Sequence, residues 1–408
     1  MLNFIWAGFF IVAFISALLQ SFNGNTAIWS YISESLFSTA HLGFKIALDL
    51  TGILCFWLGL MKIAEKSGLS DLLAKALKPL FFKIMPDIRK DSPAFGAIVM
   101  NIASNVLGLD NAATPMGIKA MELLQDENKN KSMASNAQIL FMVINSSAVT
   151  LIPITILMYR FQSGSTNPSA VFIPILIATS ISTLSGFLAT AWWQKINIFN
   201  RVVMCYIVAG ITFIGLSIWG FYRLDVVSRT QISYIISNVI LYGLVVLFIM
   251  SGVLKKLNVF EIFIEGAKEG FTTAVKIIPY LVAMLVAIGV FRVSGALDYI
   301  IDLIKISVEK FGGNTDFVYA LPTAIMKPLS GSGARAMMLD TFNAYGVDSF
   351  AGFTSSIVQG STETTFYVLA VYFGAVKISN TRSALPLALF ADIMGITSAI
   401  LLAYMFYQ

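Results

Sequence analysis

Glu363 stands in the string Gln359-Gly-Ser-Thr-Glu-Thr-Thr365, inside the apolar run 356–373, with Gln359 one helical turn back on the same face. A carboxylate in such a place either pairs with a cation or carries a raised pKa and a proton. Two cations stand in the preceding polar string, Lys327-Pro-Leu-Ser-Gly-Ser-Gly-Ala-Arg335. Its glycine-serine turn, with Ser330 and Ser332, leads into a helix with Arg335 beside it, which suits an anion cradle. It lacks the Gly-Lys-Ser/Thr ending of a phosphate loop. Unpaired cations in lipid are unfavourable by roughly 2.5 kcal/mol or more, so Lys327 and Arg335 are expected to line a wet or protein-walled cavity.

A second pair of polar strings precedes these. Asn101 and Asn105 are four residues apart and share a helix face, which Gly108 can end. Asp110 or Asn111 can cap a helix resuming at Ala112, with Thr114 and Pro115 in its first turn. Such a break aims unpaired N–H groups at an anionic or carbonyl-bearing solute, or it simply caps a re-entrant turn. Asn145, Ser146, Ser147 and Thr150 then parallel Ser361, Thr362, Thr364 and Thr365 of the later half; the plainer role for these small polar residues is interhelical hydrogen bonding. Asp49 and Asp392, each within a spanning run, join Glu363 as candidates for a coupling ion or proton.

The elements that must position these residues are apolar. The 408-residue chain is 57% hydrophobic and 12% charged, with mean hydropathy +0.80, which specifies an all-α, polytopic membrane protein. Spanning runs are expected at 3–21, 44–62, 136–158, 169–193, 201–222, 232–253, 275–293, 350–374 and 383–406. Shorter, interrupted runs at 93–108, 112–124, 316–328 and 334–345 predict half-helices or re-entrant hairpins. Segments 69–85 and 257–274 mix charges with Leu, Phe and Ile at helical spacing and predict amphipathic helices in the interface.

The net charge of +5 resides mainly in short connections, which fits the positive-inside rule and not a nucleic-acid surface; no nucleic-acid partner is expected. The basic stretch 62–90 and the uncharged-to-acidic stretch 20–43 predict a cytoplasmic N-terminus. The first run lacks a basic flank and a cleavage pattern and reads as a retained span. Cys55 and Cys205 are far apart in apolar runs and read as packing residues, and His41 alone cannot build a zinc site. No nucleophile, base and carboxylate set for catalysis can be assembled, so neither an enzyme nor a cofactor is expected.

An internal repeat orders the chain. Ser67-Gly-Leu-Ser-Asp-Leu-Leu-Ala resembles Ser294-Gly-Ala-Leu-Asp-Tyr-Ile-Ile, and in each half a broken hairpin, a broken or polar-centred span and a final span follow. Two halves, 1–198 and 199–408, are expected, containing repeats of about 44–193 and 275–406; the charge balance of their loops favours opposite orientations.

The string Leu109-Asp-Asn-Ala-Ala-Thr-Pro-Met-Gly-Ile-Lys-Ala-Met121, with Asn145-Ser-Ser-Ala-Val-Thr-Leu-Ile-Pro153, resembles the spore maturation A family. Lys327-Pro-Leu-Ser-Gly-Ser-Gly-Ala-Arg-Ala-Met337 and Gly360-Ser-Thr-Glu-Thr-Thr-Phe-Tyr-Val-Leu-Ala-Val-Tyr-Phe-Gly-Ala-Val376 resemble the spore maturation B family. The chain thus looks like a fusion of the two. Both belong to the nucleoside-recognition, or gate-domain, group, which also includes concentrative nucleoside transporters and the membrane part of ferrous iron transporter B. The resemblance implies a site at the motif positions named above and, with the repeats, an alternating-access transporter in the cytoplasmic (inner) membrane. Its partners would be membrane lipid and a small polar solute, anionic or zwitterionic and in one version nucleoside-like; a homo-oligomer is left open. The rival expectation is a non-transporting scaffold or sensor in envelope or spore-type maturation.

Overall fold

A computed structural model describes residues 2–107, 110–151, 153–310 and 313–407. The chain is a polytopic helical membrane protein, and among the described residues seven helices are long and apolar enough to span a bilayer. After α1 (Leu2–Phe22), a first series contains α2 (Ile28–Lys66), α3 (Leu69–Ile84), α4 (Ala94–Leu107), α5 (Asp110–Glu127), α6 (Asn136–Ser146), α7 (Ile154–Gln162) and α8 (Phe172–Gln194). Two peripheral helices follow, α9 (Arg201–Tyr222) and α10 (Val226–Leu254). A second series repeats the first: α11 (Val259–Val293), α12 (Ala296–Lys310), α13 (Leu321–Leu329), α14 (Gly331–Tyr345), α15 (Phe350–Gly360), α16 (Thr365–Ala375) and α17 (Ala384–Tyr407).

The internal sequence likeness encodes a shared helix stop. Gly68 and Gly295, both at φ +71°, turn the chain out of α2 and α11 in the left-handed region that glycine adopts without strain. The preceding serines fold back alike, Ser67 Oγ onto Ala64 O at 3.0 Å and Ser294 Oγ onto Phe291 O at 2.8 Å. Serine caps also open the broken spans of both series, Ser135 for α6 and Ser349 for α15.

Equivalent helices run antiparallel. Gly43 faces Val282, Gly59 faces Phe263, and Gly270 faces Cys55, so α2 and α11 read against each other in opposite directions. At one end Lys62 meets Glu269 at 3.0 Å and Lys66 meets Glu265 at 2.5 Å. α8 and α17 are likewise antiparallel: Gly186 packs on Ala391, and Ser182 on both Gly395 and the Ala391 carbonyl. This is the relation that a two-fold axis in the membrane plane produces between inverted repeats.

Several boundaries differ from expectation. Segment 257–274 is no separate interfacial helix; it is the start of α11, a 35-residue helix of about 52 Å. Its charged face lies against the Lys62 and Lys66 end of α2, which extends over 39 residues and absorbs the stretch 28–43. The interfacial partner of α3 is α12 instead. The runs 136–158 and 350–374 are each split in two, at 147–153 and 361–364. Hairpin α13–α14 breaks at the single residue Ser330, and a 3-10 turn, Asp316–Ala320, precedes it. α1, α9 and α10 bury little of their surface within the chain and present apolar side chains outward, as lipid-facing helices do.

Candidate functional site

Helices that break inside a membrane protein leave backbone N–H and C=O groups that must find partners. Here the broken elements supply some of these partners to one another. Glu363 N–H, in the second split, donates to the Ser146 carbonyl at the end of α6 (2.8 Å), so the two split spans meet across the repeats. Leu151 N–H, in the first split, donates to Val106 O at the end of α4 (3.0 Å). In the second series the equivalent contact is steric: a Cβ on Gly331, at the hairpin break, would lie 2.8 Å from Thr364 Oγ1. Ser330, in extended conformation, caps α14 by accepting from Gly333 N–H at 3.1 Å and lies 3.2 Å from the Ser332 hydroxyl.

A cavity of about 340 Å³ opens where these pieces converge. Each polar string contributes to its wall: Asn105 from α4, Thr150 from the first split, Lys327 and Arg335 from the second hairpin, Gln359 from the end of α15, and Thr362 and Glu363 from the second split. Lys327 is buried, Arg335 half-buried, and Glu363 is accessible, in contrast to the buried carboxylate its apolar setting suggests. The opposite wall is largely apolar, formed by Leu50, Leu54, Trp57 and Met61 of α2 with Met158 and Tyr159 of α7. Thr155 and Thr273 add hydroxyls. The volume lies at the small end of the range for small-molecule sites.

Other candidates lie behind the wall. Asn101 Nδ2 donates to Ala113 O (2.8 Å) and to the Tyr372 hydroxyl (3.1 Å). Tyr372 in turn donates to Asn145 Oδ1 (3.2 Å), which also accepts from Asn105 Nδ2 (2.8 Å), and Asn145 Nδ2 donates to Phe141 O (2.9 Å). Asn101 and Asn145 therefore tie the first hairpin to α6 and α16, and Asn105 carries this network to the cavity edge. Ser146 and Ser147 both return their hydroxyls to Val143 O, and Ser361 returns its own to Val358 O. Thr364 is buried beside Gly331, and Thr114 is half-buried away from the cavity. The side chains of Asp110 and Asn111, and Gly108, lie outside the described residues. Asp49 is exposed and accepts from Gln162 Nε2 at 2.6 Å. Asp392 is 1% exposed in the middle of α17, behind the second split.

Sequence reasoning missed Tyr372 and the apolar wall. A tyrosine in an apolar run that needs a hydroxyl partner was the available signal for the first. It also missed Arg160, 1% exposed at the end of α7. Its guanidinium donates to Val347 O (3.0 Å), Ser356 Oγ (3.1 Å), Ser165 Oγ (3.1 Å) and Asp348 Oδ1 (2.8 Å), strapping the two series together at one end. At the other end the α5–α6 and α16–α17 connections join in the same way: Ala134 N–H donates to Asn380 O (2.9 Å), and Arg382 Nη1 donates to Ala134 O (3.0 Å). Asp348, in the α14–α15 loop, loses hydration on burial, which would raise its pKa. Hydrogen bonds from the Ser165 hydroxyl and from Thr166, together with the Arg160 charge, outweigh this and hold it below the ordinary value.

Comparison with known proteins agrees with this division into two related series. The chain is 44% identical over 180 residues to spore maturation protein B of Bacillus subtilis (strain 168), covering 94% of that protein and 44% of this chain. It is 39% identical over 188 residues to spore maturation protein A of the same organism, covering 93% of that protein and 46% of this chain. The family profile described as Gate, nucleoside recognition, matches twice, over residues 47–162 and 274–379, which carry both hairpins and both split spans. Those two segments make up more than half of the sequence, and the chain belongs to the Gate nucleoside-recognition family.

Proposed function

We propose that this protein is a secondary transporter that moves a small polar solute, anionic or zwitterionic, through the cavity between its two repeats. The observation that carries the reading is that both hairpins and both split spans send polar residues, among them Asn105, Thr150, Lys327, Arg335 and Glu363, to one cavity. Lys327 and Arg335 face the negative group of the solute, Asn105, Gln359 and the threonines read its polar edges, and Glu363 receives a cationic group or balances the arginine. The apolar wall of α2 and α7 takes the remainder of the solute. The antiparallel relation of equivalent helices supports alternating access by rocking one repeat against the other. Nucleosides belong on the panel of candidate solutes because of the family, and the basic residues add organic anions and amino acids to it.

The test is uptake into proteoliposomes over a panel of nucleosides, amino acids and organic anions. Wild type should accumulate at least one class, Arg335→Ala should lose anionic solutes first, and Glu363→Gln should alter those with a cationic group. Absence of uptake and of solute-induced thermal stabilisation for the entire panel, with both variants complementing a deletion strain, would end the transport reading. The cytoplasmic membrane and a cytoplasmic N-terminus belong to the same proposal, on the strength of the basic 62–90 stretch.

A further inference from the structure

Asp392 presents an unusual combination. Its side chain is 1% exposed, and neither carboxylate oxygen completes a hydrogen bond. The Thr365 and Thr362 hydroxyls are close enough to interact with it and have no other partner, although threonines in membrane helices ordinarily return theirs to a carbonyl one turn back. The residue is the ninth of the 24 in α17, about 12 Å from its start. An ionised carboxylate at that depth, answered only by the Thr365 and Thr362 hydroxyls and the charge of Lys327, is costly to hold, whereas the protonated acid is tolerated and can donate to a neighbouring hydroxyl.

The surroundings decide what neutralises it. Lys327 from α13 and Glu363 from the α15–α16 split are the charged groups within electrostatic range. Of the other helices packed on α17, α6, α8, α15 and α16 contain no Asp, Glu, Lys, Arg or His. Arg229 of α10 engages the Met405 carbonyl, 13 residues further along α17. α8 contributes the Ser182 hydroxyl, already committed to Ala391 O at 2.9 Å. The acid is also held rigidly against the split. One turn on, Gly395 admits Thr362 so closely that a Cβ there would lie 2.5 Å from Thr362 Cγ2 and 3.0 Å from Ser182 Cβ.

We propose that Asp392 is an exchangeable proton-binding site, and that its protonation sets the conformation of the α15–α16 split and hence the charge balance of the cavity. Protonated, the acid sits neutral against Thr362 and Thr365. Deprotonated, it adds a negative charge opposite Lys327 and draws that lysine from the solute side. One proton is bound or released and no covalent bond to carbon changes. The structural claim, a buried carboxylic acid, stands apart from transport; the coupling of that proton to solute movement rests on the transporter reading above.

Infrared difference spectroscopy of the full-length protein in lipid, titrated with pH in potassium buffer and again in sodium buffer, separates the two. Wild type should show a carboxylic acid C=O band that disappears on alkalinisation, is missing in Asp392→Asn, and is indifferent to sodium at fixed pH. Thr365→Val, which keeps the acid and removes one hydroxyl, should retain the band at a shifted frequency. The proposal is overturned if Asp392→Asn has the same difference spectrum as wild type, if sodium bleaches the band at constant pH, as a metal-ion site would, or if Thr365→Val leaves the frequency unmoved. If the band behaves as expected, a pH gradient should accelerate wild-type uptake, and Asp392→Asn should lose that acceleration. Retained acceleration in the variant would sink the coupling but not the site, and absence of uptake in wild type would sink the transporter reading alone.

Discussion

Removing the Asp348 carboxylate should loosen the strap between the two repeats by an amount that the geometry bounds. Asp348 accepts from Arg160 Nη2 (2.8 Å), Ser165 Oγ (2.6 Å), Thr166 N–H (2.8 Å) and Thr166 Oγ1 (2.9 Å). Stripping the partner from a fully buried charge costs about 3–5 kcal/mol, whereas a surface pair contributes about 0–1 kcal/mol. Arg160 is at the buried limit, but the Asp348 side chain is 36% exposed, and the guanidinium keeps Val347 O, Ser356 Oγ and Ser165 Oγ. Asp348→Ala is therefore expected to cost about 2–3 kcal/mol, between the two limits. Asp348→Asn, which keeps an acceptor and loses the charge, should cost about 1 kcal/mol. Thermal unfolding of the purified protein in detergent, read alongside a double-mutant cycle with Arg160→Met, measures both. The pH dependence supplies an independent check. Because the folded pKa of Asp348 is depressed, its contribution is complete above the unfolded value of about 3.9 and is lost as pH falls through the folded value. The gap between wild type and Asp348→Asn should thus be constant near neutrality and close below about pH 4. A cost under about 0.5 kcal/mol for Asp348→Ala, or a gap that closes on the alkaline side, would refute the strap.

Three further outcomes follow from the packing. Gly266→Val should destabilise by about 1–3 kcal/mol or more, because even a Cβ would sit 2.6 Å from Lys62 Cβ and meet the Leu58 backbone; a stability scan in lipid or detergent reads it. Gly295→Ala, at φ +71°, should cost about 1–2 kcal/mol by the same scan, and Gly68→Ala at least as much, since its Cβ would also lie 2.8 Å from Asp71 Oδ2. Tyr372→Phe removes the hydroxyl shared by Asn101 and Asn145 and should cost about 1–3 kcal/mol, with faster backbone hydrogen exchange in the α4–α5 hairpin and in α16 as its local signature.

Much of the architecture was legible because lipid imposes simple rules. Runs of about 20 apolar residues had to be helices, and Ser67-Gly68 and Ser294-Gly295 announced the same stop in both repeats. What the sequence concealed were partnerships. The amphipathic face of 257–274 has the spacing of an interfacial helix, yet Glu265 and Glu269 pair with lysines on α2. The split at 147–153 was legible only as a broken or polar-centred span, because Val149 and Leu151 alternate with Ser147 and Thr150 and leave Pro153 as the local signal of a stop. Polar residue types marked the segments that meet at the cavity but could not tell its lining from the residues behind it. Asn101 and Asn105 share a helix face, yet one is consumed by Ala113 and Tyr372 while the other reaches the cavity edge. Asp49, Asp392 and Glu363 read alike as intramembrane acids and occupy three different environments: exposed, enclosed, and open to the cavity.

Transport by alternating access requires that the cavity between the repeats be reached from both faces of the membrane in turn, whatever the solute. Thr155 lines the cavity and is accessible, so Thr155→Cys, in a background with Cys55 and Cys205 replaced by alanine, reports on it directly. Membrane-impermeant maleimide applied to right-side-out and inside-out vesicles should label this position from either side, and an anionic solute that binds should slow both reactions. Labelling confined to one face under every condition would contradict the alternating-access transporter.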